Sequence, residues 1–167
     1  MLRAELRPRG RRLGLGAELA ALLSALSNVP IRLDLAFTGA VSQSGAIMAV
    51  GGVTHKVEGF FEVCRRRGLT GRQGVLLPRD NIVHLVLRDN VLQAIKDGQF
   101  HIHPVSTIEE AMEFLTGKKA GERLKDGRFS QNSIYAAVDE RLTELAVLAE
   151  KKCAMPRRKG LKKAGSS

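Results

Sequence analysis

The apolar positions of this chain change period several times along its length, and each change marks an element. Residues 17–27, Ala-Glu-Leu-Ala-Ala-Leu-Leu-Ser-Ala-Leu-Ser, are strong helix formers with Leu19, Leu22, Leu23 and Leu26 at helical spacing. Asn28 and Pro30 end that run. Two short alternating or β-branched runs follow, Ile31 to Val41 and Ala46 to Val50, and the Ser42-Gln43-Ser44-Gly45 between them predicts a hairpin. After Gly51-Gly52 the period returns to that of a helix, which stops at Gly68; Gly74 to Pro78 is a buried strand, and Asp80 to Leu87 a further short element. Asn90 to Gly98 reads as a short helix and His101 to Val105 as a strand, and Thr107-Ile-Glu-Glu opens a capped helix that runs to Leu115. Residues 118–129 are polar and charged and read as a linker, and Ser133 to Lys152 forms a last helix with Ile134, Val138, Leu142, Leu145 and Leu148 along one side. Strands alternating with helices predict an α/β (α+β) domain, a mixed sheet with packed helices.

Composition bounds what such a domain does. At 167 residues and 44% hydrophobic content the chain is long enough to bury its own core, which excludes disorder throughout. Trp is absent and aromatic residues make up 4%, too few rings for a base-stacking platform. Cys64 and Cys153 stand far apart without a C-x-x-C pair, so neither a disulfide framework nor a cysteine zinc site is indicated; a reducing cytoplasmic setting and no membrane association are expected. Arg11-Arg12 before the Leu-rich run imitates a secretion signal, but Glu18 interrupts the apolar segment.

The net charge of +10 invites a polyanionic partner, and its distribution withdraws the invitation. Residues 1–12 carry +4 and residues 151–167 carry +7, which leaves the body at −1. Both ends read as solvated and poorly ordered, so nucleic-acid binding is not the expected function.

Chemistry concentrates in the Val53–Arg67 helix. Its apolar arc holds Val53, Val57, Phe60, Phe61, Val63 and Cys64, and Lys56 falls inside that arc, one turn from Val53 and from Phe60. A lysine there either snorkels outward or is desolvated and becomes a good general base. Other constellations are weaker. His101-x-His103 puts two imidazoles on one strand face without an evident third metal ligand, so no metal site is expected. Arg65-Arg66-Arg67 closes a helix, where cations favour the dipole, and no P-loop motif occurs.

These residues are similar to a known family. Phe37-Thr38-Gly39, Gly45, Gly51-Gly52-Val53-Thr54-His55-Lys56 and Gly68-Leu69 leading to Gly74-Val-Leu-Leu-Pro78 resemble the proteolytic domain of Lon proteases. His101 to Val105 followed by Thr107 to Ala111 resembles its closing strand and helix, and residues 17–26 with Ser133 to Val138 resemble the LonB-like bacterial branch. The resemblance covers about residues 17–150. It implies a serine endopeptidase with a Ser–Lys dyad, in which Lys56 is the general base and Thr38 supports it by hydrogen bonding. It further implies protein substrates, an ATP-binding AAA+ module elsewhere in the polypeptide, a hexameric ring, and no cofactor in the proteolytic part itself.

One departure matters. The family's nucleophile lies just ahead of the first helix, in G-P-S-A-G or D-S-A-S, and Leu13 occupies that place here, within Arg12-Leu13-Gly14-Leu15-Gly16. The family's preceding strands are also missing, replaced by an arginine-rich start, and the sheet edge this exposes predicts poor solubility. Arg-Leu-Gly-Leu-Gly can be encoded CGA CTC GGC CTC GGN, which one base later reads Asp-Ser-Ala-Ser. Four segments are therefore expected: 1–16, a basic, disordered or out-of-frame start; 17–117, a partial proteolytic domain; 118–152, a linker and helix; and 153–167, a basic disordered tail. A chain with the lysine and without the serine reads as a peptidase domain by family or as a catalytically silent subunit of a ring, and the remaining alternative is a basic nucleic-acid-binding protein that works through its ends.

Overall fold

A computed structural model describes residues 15–154. Helix α1 spans Leu15–Ser27, two residues earlier than the leucine periodicity alone requires. It ends where Asn28 takes the left-handed conformation (φ 53°), and the Ser24 hydroxyl secures the turn by donating to the Val29 carbonyl at 2.7 Å.

The run from Ile31 to Val41 does not form one strand. Strand β1 is Leu35–Phe37, and the chain breaks at Thr38-Gly39 before β2, Ala40–Val41, which pairs antiparallel with β3, Ile47–Met48. The hairpin expected around residues 42–45 is therefore present but short, and β1 is freed to enter a different sheet. Leu33, almost fully exposed, lies ahead of that sheet. Helix α2 follows at Val53–Arg67, β4 at Gln73–Pro78, a 3-10 turn at Arg79–His84, α3 at Asp89–Lys96 and β5 at Phe100–Val105. Helix α4 spans Ile108–Thr116 and α5 spans Ile134–Ala154.

The main sheet is parallel, in the order β1-β4-β5, with Leu35 opposite Gly74 and Val75 opposite Ile102. Together with the β2-β3 ribbon it makes the fold a mixed α/β arrangement. The strands alternate between two cores, as the two-residue period of a pleated strand demands. Leu35, Leu76 and Val105 face α1, α4 and the start of α5, where Ala20, Leu23, Met112 and Ile134 are buried. Val75, Leu77 and Phe100 face α2 and α3, against Val57, Phe61 and Val91. Each of these side chains contributes about 1.5–3 kcal/mol when fully buried, so the sheet is held from both sides.

Helix α4 starts as the capping pattern requires. The Thr107 side chain accepts from the Glu110 N–H, while the Glu110 carboxylate reaches past Thr107 to accept from the Ser106 N–H at 2.7 Å. Helix α5 departs from expectation. Ile134 and Val138 are buried, but Leu142, Leu145 and Leu148 on the same stripe are exposed, because the helix runs past the edge of the domain after its first turns. Residues 118–129 are anchored to its start, since the Lys119 and Ala120 carbonyls accept from the N–H groups of Ile134 and Tyr135. Among the described residues no helix is long and apolar enough to cross a membrane. The expectations for residues 1–14, Leu13 among them, and for the tail from residue 155 lie outside the described residues.

Candidate active site

The carboxyl ends of β1 and β4 and the start of α2 meet on one side of the sheet, the place where open α/β sheets usually present their sites. Thr38 comes immediately after β1. Its N–H donates to the Leu76 carbonyl at 3.0 Å, which extends the β1–β4 ladder by one step, and the residue is 8% exposed. The hydroxyl is thereby fixed on the rigid sheet.

Helix α2 brings the partner. Gly52 enters the helix in the left-handed region (φ 70°), a conformation that suits glycine, and its carbonyl accepts the first helical bond from the Lys56 N–H at 3.2 Å. The buried row is Val53, Val57, Phe61 and Cys64. Lys56 is exposed, so the apolar arc drawn from periodicity is wider than the face the helix actually buries, and the expectation of a lysine inside it is corrected. Lys56 stands at the border of the buried row, and its stem does not run outward. Nζ donates to the Thr38 Oγ1 at 3.0 Å. Lys56 and Thr38, singled out eighteen residues apart in sequence, are in contact. With Ala36, Phe37 and Val75 they line a cavity of about 300 Å³. The amine is thus held by a neutral hydroxyl in a cavity lined otherwise by apolar side chains.

The other candidate residues lie elsewhere. At the opposite end of the sheet a cavity of about 790 Å³ is lined by Arg32, Asp34, Phe60, Cys64, Arg67 and Arg72, among others. Arg32 grips Asp34 through two bonds of 2.9 Å, which hold its carboxyl below the usual range, and Arg72 approaches the same carboxylate at 3.5 Å. Arg65 and Arg66 both bind Glu62, whose carboxyl is pulled down to about 2, first by its hydrogen bond to Arg65. Two of the three helix-end arginines are thus engaged by a carboxylate on their own helix. His101 shares a 2.9 Å hydrogen bond with the Gly71 carbonyl, and the His103 ring lies 4.9 Å from that of Phe114. Burial, and then the neighbouring His101 and Arg32, hold the His103 pKa below its ordinary value. Among the described residues no three His, Cys, Asp or Glu side chains converge on a metal position.

Residues 13–117 match the family model of the Lon protease C-terminal proteolytic domain. The chain belongs to this family. Thr38 and Lys56 fall inside the matched span, the span opens on Leu13, and α5 lies beyond it. Among curated relatives, the Lon domain is 42% identical over 121 residues to a Lon protease homolog of Haemophilus influenzae, covering 72% of this chain and 20% of that protein. It is 38% identical over 128 residues to a homolog from Escherichia coli, covering 77% and 21% respectively. An archaeal Lon protease of Archaeoglobus fulgidus is 35% identical over 101 residues, 59% of this chain and 14% of that protein. The chain therefore spans about a fifth of the first two relatives.

Sequence reasoning missed Asn81. It sits in the 3-10 turn after β4 and makes two hydrogen bonds to the backbone ahead of α2. The Pro78-Arg-Asp-Asn81 string is an ordinary turn composition, and nothing in it names a partner thirty-one residues upstream.

Proposed function

We propose that this chain is the base-bearing part of a Ser–Lys peptidase domain, with Lys56 as general base, Thr38 as its hydrogen-bonded support, and Leu13 at the position a nucleophilic serine takes in the family. The Lys56–Thr38 bond carries the reading, because it joins the two residues to which the motif resemblance points. In such a dyad the amine takes the hydroxyl proton, the alkoxide adds to the peptide carbonyl, backbone N–H groups stabilise the oxyanion, and the C–N bond breaks as the ammonium returns the proton to the departing amine, leaving an acyl-enzyme for water to hydrolyse. A leucine has no atom that can do this. The chain as written is then silent in peptide hydrolysis, and its role is that of a subunit in an assembly with intact copies.

The remaining family properties belong to the same proposal: protein substrates, ATP-dependent delivery by an AAA+ module, a homohexameric ring and a cytoplasmic setting. The relatives' much greater length leaves room for such a module. Leu13 itself is explained by a one-base shift, and the nucleotide sequence decides that point by whether codons 12–16 read Asp-Ser-Ala-Ser in the next frame. The test of silence is an activity-based fluorophosphonate probe. No labelling of this chain is expected; labelling that disappears in Lys56→Ala would show an active dyad with an unrecognised nucleophile.

A further inference from the structure

Lys56 is held at its amine by Thr38, but what holds the first turn of α2 that carries it? The helix has no side-chain cap at its start. Gly51 and Gly52 are exposed, and a Cβ built on either would meet nothing within 4 Å, so neither glycine is packed in place. The nearest fixed point upstream is Val50. Its N–H donates to the Asn81 Oδ1 at 3.0 Å, and its carbonyl accepts from the Asn81 Nδ2 at 3.1 Å. One carboxamide thus occupies both polar groups of a single residue, as a paired strand would, and holds it from a turn rather than a ladder. The turn begins at Arg79, directly after β4, and β4 is the strand that accepts the Thr38 N–H. The two halves of the site are therefore tied to the same strand, Thr38 through the ladder and the α2 entry through Asn81.

We propose that Asn81 is a positioning residue for Lys56: its two-point grip on Val50 fixes the entry to α2 and with it the reach of the amine to Thr38. The inference rests on the reading of Lys56 and Thr38 as a functional pair, and it adds a residue that neither chemistry nor spacing singles out. Val53, Val57 and Phe61 dock the helix through contacts that do not involve Asn81, so the Asn81 variants are expected to keep the fold and lose the setting of the first turn.

The test reads the lysine rather than turnover, which suits a chain without the serine. Competitive acetylation of the full chain, followed by mass spectrometry, gives the rate of Lys56 relative to Lys96, a lysine on α3 outside the site. Thr38→Ala and Asn81→Ala are each expected to change that ratio by at least about threefold in the same direction, and the double variant to change it no more than either alone, the non-additivity of residues that act through one contact. Asn81→Asp, which keeps an acceptor for the Val50 N–H and loses the donor to its carbonyl, is expected to fall between wild type and Asn81→Ala; it serves as the second variant should Asn81→Ala unfold. If Thr38→Ala changes the ratio and neither Asn81 variant does, or if the effects simply add, the positioning role is wrong while the Lys56–Thr38 pair stands. If Thr38→Ala leaves the ratio unchanged, the pair itself is overturned, and Asn81 with it.

Discussion

Replacing Phe61 by alanine tests how helix α2 is held against the sheet. Phe61 is 2% exposed and meets the fully buried Phe100 edge-to-face, with ring centroids 5.2 Å apart and planes at 79°. It lies in the row Val53, Val57, Phe61 and Cys64, which is the whole buried face of α2. Truncation removes the transfer energy of the ring and leaves a cavity that neither β5 nor α2 can close without breaking the ladder or the helix, so the cost is about 3–5 kcal/mol. Within that sum the aromatic pair accounts for about 0.5–1.5 kcal/mol. Phe61→Leu keeps most of the volume and loses the ring geometry, and should cost no more than about 1.5 kcal/mol. Native domains have only about 5–15 kcal/mol of stability in total, so Phe61→Ala should lower the thermal midpoint by about 10 °C or more. Phe60, one position away and partly exposed, provides the control, because its truncation should cost much less. Urea unfolding with equal slopes for the three variants gives the comparison. A loss below about 1 kcal/mol for Phe61→Ala, or equal losses for Phe60 and Phe61, would refute the assignment of the buried row, and with it the border position of Lys56.

Other outcomes follow from the same structure. Gly74→Ala puts a Cβ 2.8 Å from the His101 carbonyl and 3.1 Å from the His103 Nε2, across a ladder with no slack, and should cost about 1–3 kcal/mol by denaturant unfolding. Because the native pKa of His103 lies below its unfolded value, the unfolded chain binds more protons as pH falls; the stabilisation by the neutral ring is present above the unfolded pKa and is lost as pH falls towards the native one. Thermal midpoints of wild type should therefore decline from pH 7.5 to 5.5, and His103→Gln should flatten that decline; an unchanged slope would count against it.

Much of this architecture is legible in the residues. The α2 and α4 boundaries follow from Gly52, Gly68 and the Thr107 cap, and the β4 core follows from an unbroken apolar run between glycine and proline. What is not legible depends on tertiary partners. The break at Thr38-Gly39 splits an apparently continuous strand because its halves pair with different strands, β4 and β3. Leu142, Leu145 and Leu148 obey the helical period whether or not anything lies against them, so periodicity could not show that α5 outruns its domain. The Lys56–Thr38 contact joins two elements across a sheet edge. Spacing marked the lysine as unusual, but only family resemblance proposed its partner, and Asn81 had no signal at all.

We propose Lys56 as the base of a dyad in which Leu13 stands in sequence where the family has its nucleophile. The most direct measurement is fluorophosphonate labelling of Leu13→Ser with the site of modification read by mass spectrometry. Labelling at residue 13 that is abolished by adding Lys56→Ala, and weakened by adding Thr38→Val, is the predicted result. Labelling that persists without Lys56, or a Leu13→Ser chain that folds and remains unlabelled, would contradict it.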